Sequence, residues 1–93
     1  MRRYMIERDL TGVGNFSPDQ VRDAATASNA ALKQMGNSIQ WVHSYITADR
    51  IYCVYLAENE SVVREHAKRA GLPATNVSEV KRIADPLSAE QFA

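Results

Sequence analysis

Four side chains in the sequence have the chemistry of transition-metal ligands: His43, His66, Glu7 and Cys53. Imidazole binds nickel, copper, zinc and iron, and carboxylate or thiolate groups can complete such a site. If His43 and Glu7 share one surface, either could also accept a proton from a bound molecule. These residues are therefore candidate ligands for a late first-row divalent metal ion, with His43 as the first of them, and their spacing does not select nickel over zinc.

Each of these residues also has a structural interpretation. A histidine in a strand can pack among aromatic rings at a contact between subunits, and a histidine in a helix commonly faces solvent. A lone cysteine in an apolar strand usually behaves as a small hydrophobic residue. A buried carboxylate needs a partner, and Arg8 or Arg50 could supply one for Glu7. Residue types alone leave the two interpretations open.

Aromatic residues lie close to His43 in the sequence, and they suggest two further functions. Trp41, Tyr45 and Tyr55 could line an apolar pocket on a sheet face, as in a small-molecule binding protein or enzyme. The same rings could instead form a plain interface between two subunits. The chain has no Gly-rich phosphate loop, CxxC, HExxH or serine-nucleophile motif, so its motifs do not favour an enzyme.

The elements that must position these residues follow from local patterns. Segments rich in β-branched and aromatic residues predict strands over residues 3–9, 39–47, 51–57 and 77–83. One predicted helix begins after Ser17, with Pro18 at its first position and Gln20 completing a capping box, and ends at Gly36. A second begins at Asn59 or Ser61 and ends near residue 70.

The resulting order, β-α-β-β-α-β, predicts an α+β ferredoxin-like sandwich: a four-stranded antiparallel sheet with both helices on one face. We expect one domain over residues 1–93, with a core at about 3–84 and a tail at 85–93. The opposite sheet face has no helix to cover it. A small protein often closes such a face against a second copy, so a homodimer is expected.

Strand alternation then predicts which side chains share the uncovered face: Glu7, Trp41, His43, Tyr45, Cys53 and Tyr55. This prediction assumes a three-residue loop, Ala48 to Arg50, which pairs His43 with Tyr55. A two-residue loop would pair His43 with Val54 instead and invert one strand, because a one-residue slip moves every side chain to the other face.

Several segments carry a resemblance to a known family: 6–10, 41–45, 49–50, 52–55 and 64–73. Together they resemble a family of small bacterial proteins, largely of unknown function, that includes a nickel-binding protein with a ferredoxin-like fold. The resemblance extends from Tyr4 to Pro86 and implies a dimer of ferredoxin-like subunits with transition-metal binding. It departs at Leu56, where the family often carries a glutamate, so a carboxylate available to relatives is absent here; Glu58 lies two positions on.

Charge and hydropathy exclude some classes of function. Eleven basic residues balance eleven acidic ones, whereas proteins that bind phosphate backbones usually show a basic excess, so no nucleic-acid partner is expected. The sequence has no run of about 18 apolar residues, so no membrane span is expected. The basic start is followed by charged residues rather than an apolar stretch, and the single cysteine lies in an apolar run. These features predict a cytoplasmic protein.

Overall fold

The predicted order of strands and helices is found in the structure. The computed structural model describes residues 1–90. Within that range the strands are β1 Arg2–Asp9, β2 Ile39–Ile46, β3 Arg50–Ala57 and β4 Asn76–Glu79, and the helices are α1 Pro18–Met35 and α2 Glu60–Ala70. Short 3-10 helices occupy Val13–Asn15, Gly36–Ser38 and Pro86–Glu90.

The sheet is antiparallel throughout, with strand order β2-β3-β1-β4. This is the ferredoxin-like arrangement, so the predicted α+β fold class is confirmed. β4 is shorter than predicted, because among the described residues it is an edge strand bonded only to β1 and its ladder ends at Glu79. Beyond it, the Val80 amide still donates a hydrogen bond to the carbonyl oxygen of Arg3, at 2.8 Å.

Helix boundaries follow the local signals in the sequence. The Ser17 hydroxyl accepts a hydrogen bond from the amide of Gln20, whose side chain accepts one from the Ser17 amide, so the predicted capping box is formed. Asn59, rather than Ser61, caps α2. Gly71 ends α2 in the left-handed conformation, with φ of 70°, which glycine adopts without steric cost.

Both helices pack on one face of the sheet and enclose the core. The buried apolar residues of this core come from three strands and α2: Tyr4, Ile6, Ile39, Cys53, Tyr55, Ala57 and Val63. In residues 1–90, neither α1 nor α2 lies on the other sheet face. In the described part of the chain, no helix has both the length and the apolar character needed to cross a membrane.

The turn between β2 and β3 is braced by the loop that follows β1. The Gly14 amide donates to the carbonyl oxygen of Ala48 at 2.9 Å, and the Gly12 amide donates to the Asp49 carboxylate at 2.9 Å. A Cβ atom at Gly14 would lie 2.8 Å from the Ala48 Cα and 2.8 Å from the Thr47 carbonyl oxygen. Glycine is therefore required at position 14 by close approach rather than by its backbone conformation.

Candidate functional site

The two-residue turn Ala48-Asp49 joins β2 to β3, and it corrects the predicted register. The Thr47 amide donates to the Arg50 carbonyl oxygen at 2.9 Å, and His43 pairs with Val54. The three-residue loop that we expected from the sequence is therefore wrong, and the two-residue alternative is the one found. One residue fewer in the loop shifts β3 by one position and inverts its faces.

Cys53 and Tyr55 consequently face the helices, not the uncovered face as predicted. Cys53 pairs with Ile6 and Tyr55 with Tyr4, and both Cys53 and Tyr55 belong to the buried core. Val54 lies on the uncovered face instead.

A β-bulge in β2 corrects the predicted position of Trp41. Trp41 pairs with Tyr55 and His43 with the preceding residue of β3, which leaves Val42 without a partner. The extra residue reverses the alternation at this point, so Trp41 lies on the helix side although His43 lies on the uncovered side. Trp41 and Ser44 share a face despite their odd spacing, and the indole Nε1 donates to the Ser44 hydroxyl at 3.0 Å.

His43, Tyr45 and Glu7 share the uncovered face, as predicted. Tyr45 pairs with Tyr52, which pairs with Glu7, so Tyr45, Tyr52 and Glu7 form one row across the sheet. His43 lies in the neighbouring row. Its ring contacts Tyr45 edge-on, with 4.9 Å between ring centroids. Glu7 accepts a hydrogen bond from the Asn76 side-chain amide at 2.9 Å, so its partner is an amide and not an arginine.

These donors do not form a complete metal site within one chain. Neighbouring strands lie about 4.8 Å apart, and β3 separates the strands of His43 and Glu7, so their backbones are about 10 Å apart across the sheet and are also offset by two residues along it. Cys53 and His66 lie on the helix side. In residues 1–90 no three His, Cys, Asp or Glu side chains come close enough to hold one ion. Within one chain, each of these side chains is therefore an isolated donor, and His43 is the more exposed of the two histidines.

His66 is fully buried in α2, which corrects the expectation of a solvent-facing residue. Its Nε2 lies 3.3 Å from the Ser28 hydroxyl and 3.2 Å from the Ser28 carbonyl oxygen, and its ring packs on Tyr55 with 5.0 Å between centroids. Burial lowers the pKa of His66, and the Arg8 charge also lowers it, whereas the hydrogen bond with the Ser28 backbone raises it. His66 is therefore a neutral core residue that links α2 to α1.

Arg8 is the functional candidate that our sequence reasoning missed. It is a fully buried guanidinium on the helix side of β1. Its Nε donates to the Cys53 sulfur at 3.4 Å and its Nη1 to the Pro73 carbonyl oxygen at 2.7 Å, whereas Nη2 has no partner in the described chain. The sequence does contain a signal, because Arg8 continues the inward-facing series of Tyr4 and Ile6.

A hydrogen-bonded chain of side chains runs from the bulge to this arginine. Trp41 donates to Ser44, the Ser44 hydroxyl donates to the Cys53 sulfur at 3.0 Å, and Arg8 donates to the same sulfur. Burial raises the pKa of the neighbouring Tyr55 hydroxyl, although Ser28 and Arg8 act in the opposite direction. These polar groups all face the space between the sheet and α1.

That space contains a cavity of about 140 Å³. Its polar lining comes from Arg8, Ser28, Ser44 and Tyr55, with Cys53 beside them. The remaining wall is apolar, and it consists of Leu10, Val13, Phe16, Val21, Ala24, Ala25, Trp41, Ile46, Ile51 and Leu72. Two of the predicted pocket residues, Trp41 and Tyr55, therefore do line a cavity, but on the opposite side of the sheet from Tyr45.

Comparison with known proteins yields one solved structure and one family. The crystal structure of SCO4226 from Streptomyces coelicolor A3(2) matches with a TM-score of 0.74 at 22% identity, covering 88% of this chain and 99% of that chain. This likeness supports the ferredoxin-like fold. The family described as nickel responsive protein, SCO4226-like, matches residues 4–80 and so reaches all four strands and both helices. No curated protein matches the chain.

Proposed function

The chain belongs to the family of nickel responsive, SCO4226-like proteins, and from that membership we propose that it binds nickel(II) as a homodimer through the uncovered face of its sheet. The observation that carries the proposal is the position of His43, an exposed imidazole on the face that neither α1 nor α2 covers. Imidazole and carboxylate groups both bind divalent nickel. In this proposal nickel is a bound ligand and not a catalyst.

A second copy of the chain is part of this proposal. One chain offers His43 and Glu7 as separated donors, and a two-fold axis brings a second pair of the same residues to the interface. The uncovered face is also partly apolar, with Tyr45 58% exposed and Met5 and Leu56 half-buried. Pairing of two such faces would remove this surface from water.

We expect His43→Ala to lose bound nickel. Untagged protein is dialysed against nickel(II), then against metal-free buffer, and the metal-to-protein ratio is determined by elemental analysis. Wild type should retain nickel in a near-integral ratio, and His43→Ala should retain far less because its exposed imidazole is gone.

His66→Gln is the matched control, since it removes the other histidine, which is buried. Circular dichroism establishes that both variants are folded. Nickel content that is unchanged in folded His43→Ala would contradict the proposal. A dimer that holds no nickel would leave the uncovered face as a subunit interface alone.

A second candidate function, binding of a small molecule, is favoured by the cavity beside α1. Its walls are largely apolar and include a few polar residues, as in many ligand sites. The cavity and His43 lie on opposite faces of the sheet, so the two candidate functions can be tested separately.

A further inference from the structure

We propose that the cavity between the sheet and α1 binds a small organic carboxylate, whose anionic group is held by Arg8 and whose apolar part fills the space towards α1. This inference rests on the small-molecule candidate above and specifies its ligand class. It is independent of nickel binding.

The charge of Arg8 is the first argument. A buried cation is costly unless it is paired, and the natural partner of a guanidinium is a carboxylate bound through two parallel hydrogen bonds. No aspartate or glutamate in residues 1–90 forms an ion pair with Arg8. Within this described range its Nη2 is buried without a hydrogen-bond partner. Arg8 is one of the residues that line the cavity, and its guanidinium keeps unused capacity to bind an anion.

The volume and lining of the cavity supply the second argument. An apolar cavity of roughly 150 Å³ accommodates a benzene-sized molecule, and this cavity measures about 140 Å³. Ser28 and Tyr55 also line it, and their hydroxyls can donate to carboxylate oxygens, whereas the Ser44 hydroxyl already donates to the Cys53 sulfur. Val21 and Ile46, which are 37% and 44% exposed, also line it, so the cavity reaches solvent at that end.

Benzoate is a suitable probe, with benzyl alcohol as its neutral counterpart and inorganic phosphate as an anion without an apolar part. Trp41 is the only tryptophan in the chain and lies on the cavity wall, so its fluorescence reports binding. Wild type should bind benzoate about tenfold to a hundredfold more tightly than benzyl alcohol, since hydrogen bonds to charged groups are worth about 1.5–3 kcal/mol. Phosphate should not change the fluorescence.

Arg8→Met tests the assigned residue, because it keeps the length of the side chain and removes the charge. It should lose the preference for benzoate and keep binding of benzyl alcohol, and Arg50→Met, which removes an exposed arginine, should behave as wild type. Ala25→Leu fills the cavity and should lose both ligands. If Arg8→Met does not fold, Arg8→Lys should bind benzoate more weakly than wild type, since lysine lacks the planar fork.

The outcomes distinguish the assignment of a carboxylate to Arg8 from the small-molecule function on which it rests. If wild type binds benzyl alcohol and benzoate equally, or if folded Arg8→Met keeps its preference for benzoate, the assignment of a carboxylate to Arg8 is overturned and the small-molecule candidate stands. If wild type binds neither ligand, both are overturned.

Discussion

His66 shows how one buried side chain can make stability depend on pH. Its imidazole is fully buried, and burial together with the Arg8 charge lowers its pKa below the ordinary value. Tyr55 and Ser28, which contact the ring, are neutral. The native protein therefore resists protonation at a position where the unfolded chain accepts a proton freely.

We expect the free energy of unfolding to fall as the pH is lowered below about 6.5, where an unperturbed histidine takes up its proton. The unfolded chain binds the proton at that pH, and the native protein binds it only at a lower pH. The free energy of unfolding is therefore highest at neutral pH and falls as the pH drops from the unfolded-state pKa of His66 towards its lower folded-state pKa. Urea unfolding at neutral and mildly acidic pH measures the effect.

The pH dependence should be smaller in His66→Gln than in wild type, whatever the absolute stability of the variant. His43→Gln is the matched variant, because it removes the other histidine of the chain, which is exposed. An equal loss of stability with pH in wild type and His66→Gln would assign the effect to other groups.

At the level of elements, the boundaries of β1, α1 and α2 could be predicted from the sequence because their signals are local. The capping box at Ser17 and the glycine that ends α2 are complete within a few residues. Register could not be predicted in the same way. It depends on the bulge at Val42 and on a two-residue turn braced by Gly14 from another loop, and both are tertiary features.

These two features also decided how much of the candidate site could be predicted. Glu7 and His43 were placed correctly, because β1 has regular alternation and the bulge precedes His43. Cys53 and Tyr55 were misplaced together, since one register error moves a whole strand. Arg8 was overlooked although it occupies an inward-facing position of β1.

We expect Gly14→Ala to destabilise the protein by about 1–3 kcal/mol, the usual cost of forcing an extra methyl group into a well-packed site. The added Cβ would press on the Ala48 Cα and the Thr47 carbonyl oxygen at the turn. The midpoint of urea denaturation measures the change. Ala27→Ser, at an exposed position of α1, should shift it little. An unchanged midpoint for Gly14→Ala would mean that the turn moves away without cost.

On the scale of the whole molecule, the two candidate sites lie on opposite faces of the sheet. The helix side encloses a largely apolar cavity with Arg8 among its lining residues, and the uncovered side carries His43, Glu7 and Tyr45. Our proposed dimer uses only the uncovered side, so pairing of two copies would leave both cavities intact. Nickel and a carboxylate could then bind to the same dimer.

We expect Tyr45→Lys to convert the proposed dimer into a monomer, because it places a charge in the apolar part of the interface. Sedimentation velocity at micromolar concentration measures the change in mass. The matched control is Ile83→Lys, which changes an apolar residue that is 65% exposed and lies beyond β4. Wild type that sediments as a monomer would contradict the proposed dimer.

The bulge at Val42 makes β2 tolerant of a change in length at one point. If this residue were absent, the strand would alternate regularly, and Trp41 and His43 would keep their present sides. Homologues with one residue fewer here could therefore retain both an inward-facing indole and an outward-facing imidazole. When such sequences are aligned, a gap opposite Val42 preserves structural equivalence better than an ungapped match.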